Sequence, residues 1–176
     1  MQADADDGFS GHRALSSRRT APFVAAGMLL HASSVARGGD AVLFLGPPGS
    51  GKSDLVLRLI QQGWILVADD QVALRPDAGT LRAEAPPALR GLLEVRGLGI
   101  LGPLPVAEPA PVVRLVLHLR DRQDVPRLPE PESWTCEGIA LPALPLHAFD
   151  ASAPAKVALA LDAATGRLGQ HAGPFP

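Results

Sequence analysis

The sequence has no asparagine, a single cysteine at Cys136, and only two lysines, Lys52 and Lys156. Each shortage excludes something. Without asparagine there is no Asn-Lys-x-Asp guanine-reading motif of GTPases, and no asparagine metal ligand of eukaryotic-type protein kinases. One cysteine cannot form an internal disulfide, which fits a reducing compartment, so a cytoplasmic location is expected. No segment approaches about 20 uninterrupted apolar residues, so no membrane-spanning helix is expected. Dense basic runs are missing and the formal net charge is -2, which argues against a nucleic-acid partner, since duplex binding draws on clustered cationic contacts to phosphates. Arginine, by contrast, occurs fourteen times. The chain therefore takes arginine where it needs a cation, and a lysine inside a motif is a chemical choice. A compact ammonium fits among phosphate oxygens where a planar guanidinium would not.

At 176 residues the chain is expected to form one domain, long enough to bury about 70% of the surface its unfolded form exposes. The segment SSRRTAPFVAAGMLLHASSVA has paired arginines, a short apolar run and small residues, a superficial likeness to a twin-arginine export signal. The apolar run leads straight into the strand feeding a glycine loop, so cleavage after it would remove part of the site. We expect instead a flexible polar tail over residues 1–21, a domain over 22–168 and a short tail over 169–176.

Hydrophobic patterning predicts strands over 23–36 and 41–45, joined by a turn at Arg37-Gly38-Gly39-Asp40. A helix is predicted from Ser50 to Gln62, where Leu55, Val56, Leu59 and Ile60 mark one apolar face and Gly63 is a stop. The continuous apolar run WILVA at 64–68 predicts a strand at the centre of a sheet. QVALRP and TLRAEAP predict a hairpin around Asp77-Ala78-Gly79, and VVRLVLHL at 112–119 a further strand. The segment LRGLLEVRGLGILGPLP is too irregular to be read as a helix, and 121–133 is expected to be a surface loop. GIALPALPL predicts another strand and APAKVALALDAATGRL a terminal helix with Pro154 in its first turn. The fold class is thus α/β, a phosphate-loop-containing central sheet with added β-hairpins and few helices.

The stretch FLGPPGSGKSDL, from Phe44 to Leu55, holds the strongest motif. Gly46 to Ser53 satisfies G-x-x-x-x-G-K-S, with a strand before it and a helix after it. Glycines let the backbone curl so that successive N–H groups point inward, and the helix N-terminus adds partial positive charge. Pro47 and Pro48 have no N–H, so the cradle must come from Gly49, Ser50, Gly51, Lys52 and Ser53, with Gly46 at the tight entry. Lys52 would bridge the outer phosphates of ATP and Ser53 would hold Mg²⁺. Gly-Pro-Pro-Gly-x-Gly-Lys also occurs in AAA+ ATPases, but those carry their acidic strand end much later and add a helical lid, neither of which fits here.

Asp69 and Asp70 end the strand that follows the helix. Ligands of open α/β sheets gather at the carboxyl ends of strands, where a magnesium ligand or a general base belongs. Adjacent residues point to opposite faces, so one of the two can face the terminal phosphate directly. Phosphoryl transfer through a loose transition state demands orientation of the nucleophile more than strong deprotonation, which suits a serine or threonine acceptor.

The order GPPGSGKSD, then QQGWILVADDQVAL, then LRGLLEVRGLGIL resembles the catalytic domain of the HPr kinase/phosphorylase family, over residues from about 23 to 166. The chain is similar to the compact forms that lack the N-terminal domain. The resemblance implies ATP- and Mg²⁺-dependent phosphorylation of a serine on the phosphocarrier protein HPr, reversal by inorganic phosphate to give pyrophosphate, and a hexamer. It implies that Asp69 accepts the serine proton with Asp70 in support, that His31 lies in the site, that Glu94 joins Ser53 on Mg²⁺, and that Arg96 meets phosphate charge. Pro48 stands where the family usually has Ser, Asp54 where Glu is common, and the family's late Gly-Arg-Asn segment has no counterpart in HAFDASAPAK. Two other functions fit a bare phosphate loop: a small-molecule kinase, and an ATP-sensing module without turnover.

Overall fold

The computed structural model describes residues 27–175; the tail expected over 1–21 and the start of the first expected strand lie outside the described residues. What the sequence predicts as one strand is two, β1 (Met28–His31) and β2 (Ser33–Arg37), broken at the buried Ala32. β1 pairs antiparallel with β5 (Gln71–Asp77), whereas β2 lies between β3 (Asp40–Leu45) and β4 (Ile65–Ala68). The Ala32 N–H donates to the Asp70 carbonyl at 3.2 Å, so the break is itself satisfied.

β3 enters the glycine loop, and α1 (Lys52–Ile60) follows. The predicted apolar face is correct, with Leu55, Val56 and Leu59 fully buried and Gly63 at φ 87° ending the turn. The helix starts at Lys52 rather than Ser50 because the preceding residues stay in the loop. Asp54 sits in the first turn, where the helix dipole favours an acid, and accepts from Arg58 Nε at 2.9 Å.

The main ladder adds β6 (Thr80–Glu84) and β9 (Val112–Leu119) and runs β1-β5-β6-β9-β3-β2-β4. β9 is parallel to β3; on its other side its start meets β6, and its end runs parallel to β11 (Ile139–Leu146). β11 also pairs antiparallel with β10 (Glu132–Cys136), which lies partly in the stretch expected to be a loop. Its signal is weak because only Cys136 in it is fully buried. β7 (Leu93–Val95) and β8 (Gly99–Leu101) form a separate hairpin inside the segment left without an assignment.

β4 is not central: it ends the main ladder. Leu66, Val67 and Ala68 are buried, and its outer edge is covered by the chain at 106–107, where the Ala107 N–H donates to the Leu66 carbonyl at 2.8 Å. An unbroken apolar run records two covered faces, not two strand neighbours. β3 is covered in the same way, with Val42 and Phe44 packing in the core that holds α1 and α2 (Ala153–Ala164), and Ala41 and Leu43 in the core beneath the β5–β6 hairpin. The terminal helix is shorter than predicted. Residues 169–175, expected to be a tail, turn back so that Phe175 is buried in the helix-side core.

Candidate functional site

The site lies where β3 and β4 end. Gly49 at φ 82° and Gly51 at φ 91° adopt the left-handed conformation that the loop's curl requires. A Cβ on Gly46 would fall 2.7 Å from Ser50 Oγ, and one on Gly51 would fall 2.9 Å from the Ala148 Cβ, so the cradle has no room for side chains at either point. Ser50 Oγ is buried and, among the described residues, has no hydrogen-bond partner. The Ser50 N–H itself donates to the Pro47 carbonyl at 3.1 Å, closing the loop's turn, and a buried orphan hydroxyl in such a glycine loop fits one that binds phosphate oxygens.

Lys52 is buried, its ammonium donating to the carbonyls of Gly46 at 2.8 Å and Pro47 at 3.1 Å. Burial pulls its pKa below the ordinary lysine value, against the opposing pull of Asp69 and Asp70. The lysine thus spans the loop toward the acidic strand end.

The two aspartates have different surroundings. Asp69 is only 4% exposed; its Oδ1 accepts from Ser33 Oγ at 2.6 Å and from Ser53 Oγ at 2.9 Å, and its Oδ2 accepts from the Glu94 N–H at 3.2 Å. Asp70, at φ 67°, turns out of the strand and is more than half exposed. Its Oδ1 lies 3.1 Å from Nδ1 of His31, which is equally open to solvent. The break at Ala32 makes this division possible: Ser33 on β2 meets the first aspartate, and His31 on β1 meets the second.

The structure therefore brings together Lys52, Ser53, Asp69, Asp70 and His31. Glu94 arrives through its backbone, positioned by the buried Leu93 beside it, while its side chain is exposed. Arg96 does not share a strand face with Glu94, since β7 stops at Val95 and Arg96 begins the hairpin turn, exposed. Ser33 was missed by sequence reasoning, because a serine in an apolar strand carries no signal until its partner is known. Also unforeseen was the loop 147–150, whose Ala148 and Phe149 pack against Gly51.

The donor set suits Mg²⁺. The Ser53 hydroxyl and the Asp69 carboxylate are hard oxygen donors side by side, and this cation commonly takes one or two carboxylates plus waters and substrate phosphates rather than an all-protein cage. Among the described residues there is no cluster of three His, Cys, Asp or Glu side chains able to hold a metal alone.

Residues 23–106 match the HPr Serine kinase C-terminal domain. HPr kinase/phosphorylase of Caldicellulosiruptor bescii is 52% identical over 64 residues, 36% of this chain and 21% of that one. The Chromobacterium violaceum protein of the same name is 44% identical over 89 residues, 47% of this chain and 28% of its own. The matched region thus spans about a quarter of the length of these relatives. In fold, the chain is similar to the Hpr(Ser) kinase/phosphatase of Coxiella burnetii, with a TM-score of 0.66 over 74% of this chain and 91% of that one, at 24% identity.

Proposed function

We propose that this chain, which belongs to the HPr serine kinase family through residues 23–106, transfers the terminal phosphoryl group of ATP to a serine hydroxyl of an HPr-like carrier protein. The observation that carries this reading is the division of the acid pair at the mouth of the phosphate loop. Asp69, buried and holding Ser53, belongs to the nucleotide side. Asp70, exposed and paired with His31, belongs to the acceptor side.

The family resemblance implies proton acceptance by Asp69. Its geometry argues for Asp70 instead: Asp69 is enclosed by three donors, whereas Asp70 offers an open carboxylate to an incoming hydroxyl, with His31 fixing its rotamer. In the forward direction the serine oxygen attacks the terminal phosphorus, its proton passes to Asp70, and the bond to the leaving ADP oxygen breaks. The Ser50 hydroxyl and the amides of Gly49, Gly51, Lys52 and Ser53 hold phosphate oxygens, and Lys52 bridges the outer phosphates. Mg²⁺ would be held by Ser53 and Asp69, with Glu94 as the further carboxylate, and would neutralise phosphate charge.

The reverse reaction uses the same groups. Inorganic phosphate attacks phosphoserine, Asp70 returns a proton to the serine oxygen, and pyrophosphate leaves. Assembly into hexamers, which the family implies, is read by sedimentation of the purified chain. The forward reading is tested by mixing radiolabelled ATP, HPr and either wild type or Asp70→Asn. Label on an HPr serine with wild type, lost in the variant while ATP still binds, is the expected result. Equal labelling by the variant would remove Asp70 from its role.

A further inference from the structure

The acid pair fixes the direction in which a bound nucleotide must lie. Asp69 and Ser53 mark the terminal-phosphate side of the loop, toward β2 and β4. On the opposite side of β3 stand β9 and then β11, both parallel to neighbours that end at the same edge. A nucleoside leaving the loop away from the acids therefore reaches the residues just after β11. There the structure holds Phe149.

Phe149 is 58% exposed, and it is the one exposed aromatic residue among the described residues. Among the other described aromatics Phe44, Trp64 and Phe175 are buried and Trp134 partly so, whereas this open ring sits beside the phosphate loop: its Cζ lies 3.0 Å from where a Cβ on Gly51 would be. The ring is also held. Arg58 of α1 donates from Nη1 to the Asp150 carbonyl at 3.2 Å and from Nη2 to the Ala148 carbonyl, clamping the backbone on both sides of Phe149. His147 meets the ring edge-on, with centroids 5.8 Å apart and planes at 67°, and its own Nδ1 is 3.0 Å from the Arg120 carbonyl. One face and edge are thus braced and the rest of the ring is open.

We propose that Phe149 is the stacking platform for the purine base of the bound nucleotide, with Arg58 and His147 as its positioning residues. This rests on the phosphate-loop reading above and adds the subsite that distinguishes a nucleotide from a bare polyphosphate. Aromatic stacking reads the π-face of a base and gains nothing from an inorganic phosphate chain.

The test is calorimetric titration of the full chain, with Mg²⁺ present, against ATP and against inorganic triphosphate, for wild type, Phe149→Ala and Phe149→Trp. The expected result is that Phe149→Ala weakens ATP binding roughly tenfold, leaves triphosphate binding unchanged, and that Phe149→Trp restores ATP binding. Unchanged ATP affinity in Phe149→Ala overturns the proposal. A parallel loss of ATP and triphosphate also overturns it, since the ring would then merely support Gly51. Wild type that binds neither ligand overturns the phosphate-loop reading, and this inference with it.

Discussion

The two ends of β3 treat carboxylates in opposite ways. At its start, Asp40 accepts from Arg114 Nε at 3.0 Å and Arg167 Nη1 at 2.8 Å, and Arg167 in turn reaches Asp162, which also binds Arg37. Burial raises the Asp40 pKa, but the hydrogen bonds from Arg167 and Arg114 outweigh it and hold the carboxyl below its usual range. Beyond the other end of the strand, Asp69 is buried more deeply and its direct donors are two hydroxyls and an amide, while Lys52 acts on it as a neighbouring charge. Arginine clamps lock a carboxylate into a structural network. Neutral donors leave the charge available to a cation or a phosphate-bound substrate, and a chain so rich in arginine has kept arginine out of direct contact with this aspartate.

The comparison breaks first at the open acid. Asp70→Asn should lower transfer to the acceptor serine by about 10²-fold or more while ATP affinity holds, read by labelled-phosphate transfer beside calorimetry. Next is the loop itself. Gly51→Ala must place a Cβ against Ala148 and Phe149 at φ 91°, so ATP binding should fall and unfolding in urea should show a loss of about 1–3 kcal/mol. A smaller effect tests a third aspartate, Asp150, which is paired like Asp40 rather than Asp69. Hydrogen bonds from Lys156 and then Arg122 hold it at about 2, below the ordinary 3.8. Its contribution to stability is therefore complete above the unfolded value and is lost as pH falls through the folded one. Melting temperature measured from pH 5 down to 2 should drop less steeply in Asp150→Asn than in wild type. Smallest is Arg114→Ala at the half-exposed clamp, expected to cost under about 1 kcal/mol and to leave ATP binding unchanged. A loss of nucleotide affinity there would show that the two ends of β3 are coupled.

The phosphate loop, α1 and the β5–β6 hairpin were legible in the sequence because each is a local pattern: glycine spacing, helical periodicity, or a turn dipeptide between alternating runs. Their neighbours were not. WILVA announced burial on both faces, and nothing local distinguishes a covered edge from a central place in the ladder. The split at Ala32 was invisible because small residues suit either place in the sheet equally, and the partner that breaks the strand, the Asp70 carbonyl, is far along the chain. The same reason hid the roles of the acid pair. Two adjacent aspartates are alike as letters, and only Ser33, Ser53 and Glu94 on one side against His31 on the other make them different. Nor does the sequence show that Arg96 falls in a hairpin turn, where Gly97 and Gly99 adopt positive φ.

The interruption at Ala32 also separates two mechanical lineages. β1 is an outer strand with Met28 and Leu29 uncovered, and a body leaning on that rim would tilt the imidazole and its carboxylate together. The serine one step past the interruption answers to β3 and β4 instead, and would stay where it is. On the proposed reading, the partner of the acceptor-side acid and the partner of the nucleotide-side acid thus hang from different strands, one position either side of a shared alanine.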